Sequence, residues 1–390
     1  MHFKYIFAFL LINCLFITNS EVANSYSETN IICQEDDLAG LKLIYDNMNG
    51  ENWKHNTFWL TNTSCCNWYG IKCDNNRVSE ITLVSNNVSG GFPDLNNTLQ
   101  FLNKIDMYDN SITGNLNQLL NFKSLAVIDL GTNLIVDELP DQLFQSDVLI
   151  YINLMENMLY GTISEINCPQ LKNIFLSDNN LSGNFPTIVS SNLYDIFIAN
   201  NNLVGIPDTF NTTPKLDRLI LNNNNILGTL PKSLVNTRIR SLDLSNNNFF
   251  GEIPEEFKGI NTLMEFYANN NSLSSGINNL INVKAIEIDN NKFNETIGNL
   301  LGGGIHVFQA RNNSFHGNVF LPCSLGANII DLTNNGALKG YILYYHQNWC
   351  DITVLEYPKY ESDGYMCSNI MINYCLILTD GFFFDYKYCD

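Results

Sequence analysis

Of 390 residues, 45% are hydrophobic, enough to bury a substantial core, so wholesale disorder is excluded. Only 15% are charged, and 39 Asp+Glu against 20 Lys+Arg give a net charge of −19. Phosphate backbones and anionic lipid surfaces would be repelled by that balance, which excludes nucleic-acid binding. Polarity comes instead from uncharged amides, often in runs such as Asn222 to Asn225.

The chain opens with Lys4 ahead of an apolar stretch, Tyr5 to Ile12, that resumes from Cys14 to Ile17. Thr18 and Ser20 then place small residues just before Glu21. A charged start, a short apolar core and a small-residue exit predict a secretory signal peptide over 1–20. The apolar run is shorter than the roughly 20 residues that span a bilayer. The mature chain is therefore expected to be secreted and extracellular, with no transmembrane segment.

Eleven cysteines are present, and Cys14 falls in the signal segment. Cys33, Cys65, Cys66 and Cys73 cluster early, and Cys350, Cys367, Cys375 and Cys389 cluster late. That placement predicts disulfide-stapled caps at both ends of a nearly cysteine-free middle. Cys168 and Cys323 stand alone and are expected as buried free thiols. Within 21–77, Asp36 to Met48 has helical spacing (Leu38, Leu41, Ile44, Tyr45 and Met48). Asn52-Trp53 follows, and then the string C-C-N-W-Y-G-I-K-C from Cys65 to Cys73.

From Val78 to about residue 342 the chain repeats L-x-x-L-x-L-x-x-N-x-L-x-G-x-I-P. The copies begin at Val78, Leu102, Leu125, Leu149, Leu171, Leu193, Leu216, Ile239, Leu263, Val283, Ile305 and Ala327, a mean period near 22.6. Within each, L-x-L alternates with period two and predicts a short strand with one buried face. The ninth residue is Asn in all twelve: Asn86, Asn110, Asn133, Asn157, Asn179, Asn201, Asn224, Asn247, Asn271, Asn291, Asn313 and Asn335. A carboxamide supplies both donors and an acceptor where the chain turns inward, so these side chains should stack as a ladder. One repeat cannot bury its own apolar face, whereas twelve stacked ones form a continuous core. Asp137, Ser275 and Glu295 replace the usual Gly in repeats three, nine and ten.

The L-x-G-x-I-P half of the repeat and the Cys65–Cys73 string resemble the plant-type leucine-rich-repeat extracellular proteins. That class includes receptor-like ectodomains and polygalacturonase-inhibiting proteins. The resemblance covers residues 33 to about 342 and implies an α/β solenoid: a right-handed superhelix of about twelve repeats with a parallel concave sheet and disulfide-stapled caps. It further implies that Cys33 pairs with Cys65 and Cys66 with Cys73. The tail, 343–390, rich in Tyr and Phe, matches no cap of the class; it is expected to cover the open edge of the last repeat.

Motifs of catalysis are missing: there is no G-x-x-x-x-G-K-[ST], H-E-x-x-H or G-x-S-x-G. Gly302-Gly303-Gly304 reads as a turn, and His55, His306, His316 and His346 are scattered. No enzyme activity, cofactor or metal site is expected. The variable positions of the strands should face the concavity. Between the two strand leucines they run Thr82, Asp106, Asp129, Asn153, Phe175, Phe197, Ile220, Asp243, Tyr267, Glu287, Gln309 and Asp331. Phe175, Phe197 and Ile220 should be exposed there, with Tyr151, Met155 and Tyr194 in neighbouring columns. Asp106, Asp129, Glu156, Asp178, Asp195 and Asp243 flank this patch, and Arg218 and Arg240 adjoin it. Clustered exposed aromatics mark binding surfaces; they also suit any strand without a ligand.

Glycosylation sequons occur at Asn62, Asn87, Asn96, Asn180, Asn211, Asn270, Asn294 and Asn312. None lies on a concave strand of repeats four to seven, while Asn270 and Asn312 would hinder ligands further along. The expected function is that of a secreted, non-enzymatic recognition protein that binds a protein or peptide ligand, or a cell-surface receptor, on its concave face. The alternatives are an extracellular inhibitor of a wall-degrading hydrolase and a matrix or adhesion component.

Overall fold

The computed structural model describes residues 33–297, 305–322, 329–335, 337–343, 351–354 and 374–378. The signal segment, Gly302 to Gly304, His346, Cys323, Cys350, Cys367 and Cys389 lie outside the described residues, and so does any pairing of the late cysteines, Cys375 included. Twelve short strands, one per repeat, form a single parallel array: Arg77–Thr82, Lys104–Asp106, Val127–Asp129, Tyr151–Asn153, Asn173–Phe175, Asp195–Phe197, Arg218–Ile220, Ser241–Asp243, Glu265–Tyr267, Ala285–Glu287, Val307–Gln309 and Ile329–Asp331. Equivalent residues pair from repeat to repeat without slippage, for example Ile174 with Ile196 and Ile196 with Leu219. Ile71–Asp74 adds an antiparallel strand at the first edge. At the other edge the tail contributes Tyr374–Leu378 and then Asp351–Val354, both parallel, so part of the tail extends the sheet past the last repeat.

Register is fixed because the middle residue of each three-residue strand points inward. Ile105, Ile128, Ile152, Ile174, Ile196, Leu219, Leu242, Phe266, Ile286 and Phe308 are all buried and belong to one continuous core running from Cys33 to Leu332. A one-residue slip would send that whole set to solvent. The ninth-position asparagines close the structure behind the strands. Asn133 donates from Nδ2 to the carbonyls of Leu130 and Gly131 in its own turn and of Met107 in the preceding repeat, and its Oδ1 accepts from the Ile112 N–H. Asn224 and Asn313 bridge to the preceding repeat in the same way. Each side chain thus satisfies backbone groups on two repeats at once.

The departures from the repeat pattern are accommodated locally. Asp137 and Glu295, standing where Gly is usual, use their carboxylates to accept the N–H groups of Leu116 and Ile277, each at 2.8 Å. In repeat nine, where Ser275 takes the Gly position, the following Gly276 supplies the left-handed conformation (φ 91°). A Cβ on Gly276 would lie 2.3 Å from the Ile253 carbonyl oxygen, so no other residue fits there.

The N-terminal region packs a helix, Glu35–Asn47, onto the first repeat. Asp37 is fully buried; it accepts the Val78 N–H at 2.8 Å and pairs with the Arg77 Nε at 2.9 Å, which anchors the helix to the first strand. Tyr45, Trp53, Trp59 and Trp68 form a chain of ring contacts with centroids 4.9 to 5.7 Å apart. Cys33 is bonded to Cys65 and Cys66 to Cys73, the pairing the resemblance implied. Cys168 is a buried free thiol, as expected from its isolation. Among the described residues no helix is long and apolar enough to cross a membrane.

Asn247 and Asn248 separate the ladder's contribution from that of surface polarity. Asn247→Leu orphans the Leu221 carbonyl and the Ile226 N–H and is expected to cost about 2–4 kcal/mol in urea unfolding. Asn248→Leu, at an exposed neighbour, should stay within about 0.5 kcal/mol.

Candidate functional site: the concave face of repeats four to eight

Because the strands pair in register, side chains at equivalent positions stand directly beside one another. Tyr151 and Phe175 meet edge to face at 5.5 Å, and Phe175 and Phe197 likewise at 5.0 Å. The Arg218 guanidinium lies over the Phe197 ring at 4.9 Å and continues the series as a cation–π contact. Phe175, Phe197 and Ile220 are half-buried rather than exposed, and the two phenylalanine rings lean on each other across the strand spacing. Met155 and Tyr267 are also half-buried, and Tyr194 remains exposed at 44%.

The charges around the patch divide into two kinds. Arg218 grips Asp195 in a two-pronged pair at 2.6 and 2.8 Å, and Arg240 does the same with Asp217 one repeat on. Asp195 and Asp217 are almost fully buried, and Asn173 donates to Asp195 at 2.7 Å. Asp195 is therefore the buried half of an ion pair and not part of an open acidic flank, which corrects its expected place. Both guanidinium groups stay charged, held there chiefly by their aspartates. Each keeps much of its side chain in solvent, so the pairs present fixed, partly neutralised cationic edges. Further along, Arg311 donates from Nε and Nη2 to one oxygen of Asp289, at 2.8 and 2.6 Å, and has Asp331 beside it at 3.5 Å.

Of the carboxylates on either side, Asp106 pairs with Lys104 at 3.1 Å, whereas Asp129 and Asp243 accept from neutral donors. Asp129 accepts from the Tyr151 hydroxyl at 3.2 Å and from Asn153 at 2.9 Å, with Asp106 in the same column of the neighbouring strand. Burial, reinforced by Asp106, pushes Asp129 from its ordinary 3.8 up to about 6. Asp243 is pushed up as well, mainly by burial and in part by Glu287. Burial and the Asp129 charge drive the Tyr151 phenol up in turn, so it remains protonated and donates.

Asp217 and Asn173 were missed in the sequence, although the repeat alignment carries the signal for Asp217: Asp195 and Arg218 occupy one column, Asp217 and Arg240 the next. A further feature had no sequence expectation. The eighth residue of each repeat, from Ser85 to Asn334, lies in left-handed backbone. From repeat six onward it is always an exposed asparagine: Asn200, Asn223, Asn246, Asn270, Asn290, Asn312 and Asn334. All eight sequon asparagines are exposed. The pattern enforces this, because an apolar eleventh residue prevents the buried ladder asparagine from starting a sequon.

The Asp129 site predicts a pH effect of definite sign. The folded chain holds this proton to higher pH than the unfolded one, so its contribution to stability is fullest below about pH 3.8 and is lost as pH rises through about 6. Asp129→Asn is expected to stabilise the protein by about 1–3 kcal/mol near neutral pH and to have little effect near pH 3.5, read from melting at the two pH values.

The family model described as Leucine Rich Repeat matches residues 215–237 and 238–260. A leucine-rich repeat receptor-like protein kinase of Arabidopsis thaliana, PXC2, is 32% identical over 113 residues, 28% of this chain and 12% of that protein. A polygalacturonase inhibitor of Pyrus communis is 35% identical over 52 residues, 13% of this chain and 16% of that protein. The matched segments thus span a small part of these relatives' own lengths. Among solved structures, the Arabidopsis receptor kinase HAESA in complex with the peptide hormone IDA and the co-receptor SERK1 superposes with a TM-score of 0.54 at 24% identity, over 71% of this chain and 53% of that one. Together with twelve parallel strands in constant register and the stapled N-terminal region, these similarities show a leucine-rich-repeat solenoid that resembles the plant-type leucine-rich-repeat proteins.

Proposed function

We propose that this protein is a secreted, non-enzymatic recognition protein that binds an extracellular protein or peptide on the concave face of repeats four to eight. The observation that carries the reading is the continuous row Tyr151, Phe175, Phe197 and Arg218, each group in contact with the next. A row of this kind offers large apolar area with a cationic edge, already ordered before the ligand arrives, so little entropy is lost on binding. Its flanking carboxylates, Asp129 and Asp243, favour a ligand with a basic residue on either side of an apolar anchor. Two disulfides among the described residues suit an oxidising compartment, and the eight exposed sequons suit a glycosylated surface. In domain terms, the reading takes 1–20 as a signal peptide, 21–77 as the N-terminal cap, 78–342 as the repeats and 343–390 as a C-terminal cap.

The test is capture from secreted and cell-surface extracts by the full glycosylated chain, compared with Phe175→Ser/Phe197→Ser. Since both rings are half-buried, the variant should melt a few degrees lower yet remain folded. A partner retained by the wild type and at least tenfold depleted on the variant is the expected result. Equal retention by a folded variant would remove the patch from recognition. The likeness to polygalacturonase inhibitors favours one specific partner class, and slowed pectin cleavage by a polygalacturonase, lost in the same variant, would identify the ligand as that enzyme.

A further inference from the structure

Beyond the ladder asparagines the solenoid carries large apolar side chains that its core does not use. There a short extended segment of each repeat pairs with its equivalent in the next, as Tyr160–Thr162 does with Asn180–Asn184. Glu138 pairs with Tyr160 in the same way, so two residues earlier Val136 stands beside Met158. Residues two apart on an extended segment share a face. Here that face is the outer one: Leu134, Val136, Met158 and Tyr160 are between 42 and 56% exposed. Contiguous exposed apolar groups on neighbouring repeats mark a contact.

The next position along this sheet supplies the contact. Tyr160 is in register with Asn180, so the two side chains leave the sheet on the same side, from backbones about 4.8 Å apart. Asn180 opens the sequon Asn180-Leu181-Ser182. Its carboxamide has a fixed sense: Oδ1 accepts from Asn202 Nδ2 at 2.7 Å, on the side of repeat six. Nδ2 is thereby turned the other way, toward repeat four and Tyr160. That nitrogen is the atom an N-linked glycan is attached to, and attachment leaves the Oδ1 bond intact. Asn87, Asn270 and Asn312 instead direct the same nitrogen to Asn52, Asn246 and Asn290. Ser182, which completes the sequon, is bonded to the Gly161 carbonyl at 3.1 Å and so ties repeat five to repeat four at this point.

We propose that Asn180 is glycosylated and that the first sugar of its glycan lies over Tyr160 and Met158, covering the apolar patch of repeats three and four. The inference rests on the reading of the chain as a secreted glycoprotein. A pyranose ring suits the place. One side of it is lined by C–H groups, which settle on the negative face of an aromatic ring and remove apolar area from water, while the hydroxyls at its rim stay hydrated. Held on the outer layer, the glycan leaves the row Tyr151, Phe175, Phe197 and Arg218 on the concave strands open to a ligand.

The test uses the full chain secreted from a host that adds N-linked glycans, with glycopeptide mass spectrometry for occupancy and thermal melting for the contact. The wild type is compared with Asn180→Gln, Tyr160→Ser and the double variant; both substitutions lie on the exposed face, so all should fold. Asn180 is expected to carry a glycan, and each single variant to melt about 2 °C lower than the wild type. Tyr160→Ser should cost less than half as much in the Asn180→Gln background, since the contact is already gone there. The gap between wild type and Asn180→Gln should survive enzymatic trimming to one sugar per site; its disappearance would overturn the assignment to the first sugar. Equal cost of Tyr160→Ser in both backgrounds, or no shift in Asn180→Gln, overturns the proposal and leaves the patch to a second copy or a protein partner. A bare Asn180 with glycans at other sequons overturns it while keeping the glycoprotein reading, and no glycan at any sequon removes both.

Discussion

The interaction on which the whole molecule depends is the bridge made by the ninth-position carboxamide of every repeat. Turning the chain inward after a three-residue strand buries carbonyl and N–H groups that no neighbouring strand can reach. One Asn side chain answers its own turn and the preceding repeat together, as Asn133 does for Leu130, Met107 and Ile112. Stacking is thereby made directional: each repeat is completed only by the next. Constant register follows, and with register comes the alignment of surface residues into columns.

Column alignment is what turns isolated side chains into a site. Tyr151, Phe175 and Phe197 lie 22 to 24 residues apart in sequence yet touch in series, because each sits on an adjacent strand at or beside the same position. The two arginines are fixed by carboxylates from the preceding repeat. Burying those aspartates alone would be costly, whereas a two-pronged guanidinium partner offsets the loss of water and locks both side chains. The outcome is a patch whose shape is set before any ligand arrives. The partly buried carboxylates at its two ends, Asp129 and Asp243, are pushed up by burial, and a cationic ligand group would favour their charged forms.

Much of this was legible in the sequence, for a physical reason. The buried asparagine and the strand leucines recur at a fixed period, so strand positions, repeat number and the columns of the concave face could be written down directly. Phe175, Phe197 and Arg218 were placed together on that basis. Their degree of burial was not legible, because it depends on how far each ring leans across the strand spacing. The role of Asp195 was misjudged for the same reason: a column lists neighbours but does not say which of them bond. The outer asparagine row escaped notice because it lies next to the structural one, and in a run such as Asn222 to Asn225 composition does not distinguish a buried amide from an exposed one. The pairing of the early cysteines came from resemblance, since four cysteines alone allow three connectivities.

The central claim is that register creates a rigid recognition face before binding. Hydrogen–deuterium exchange on the free protein, and on the protein bound to a captured partner, tests it most directly. The account predicts that strand amides from Tyr151 to Tyr267 are already strongly protected in the free state, and that the partner adds protection chiefly to the segments holding the outward-facing side chains of repeats four to eight. Rapid exchange of these strands in the free protein, or a footprint confined to other repeats, would contradict it.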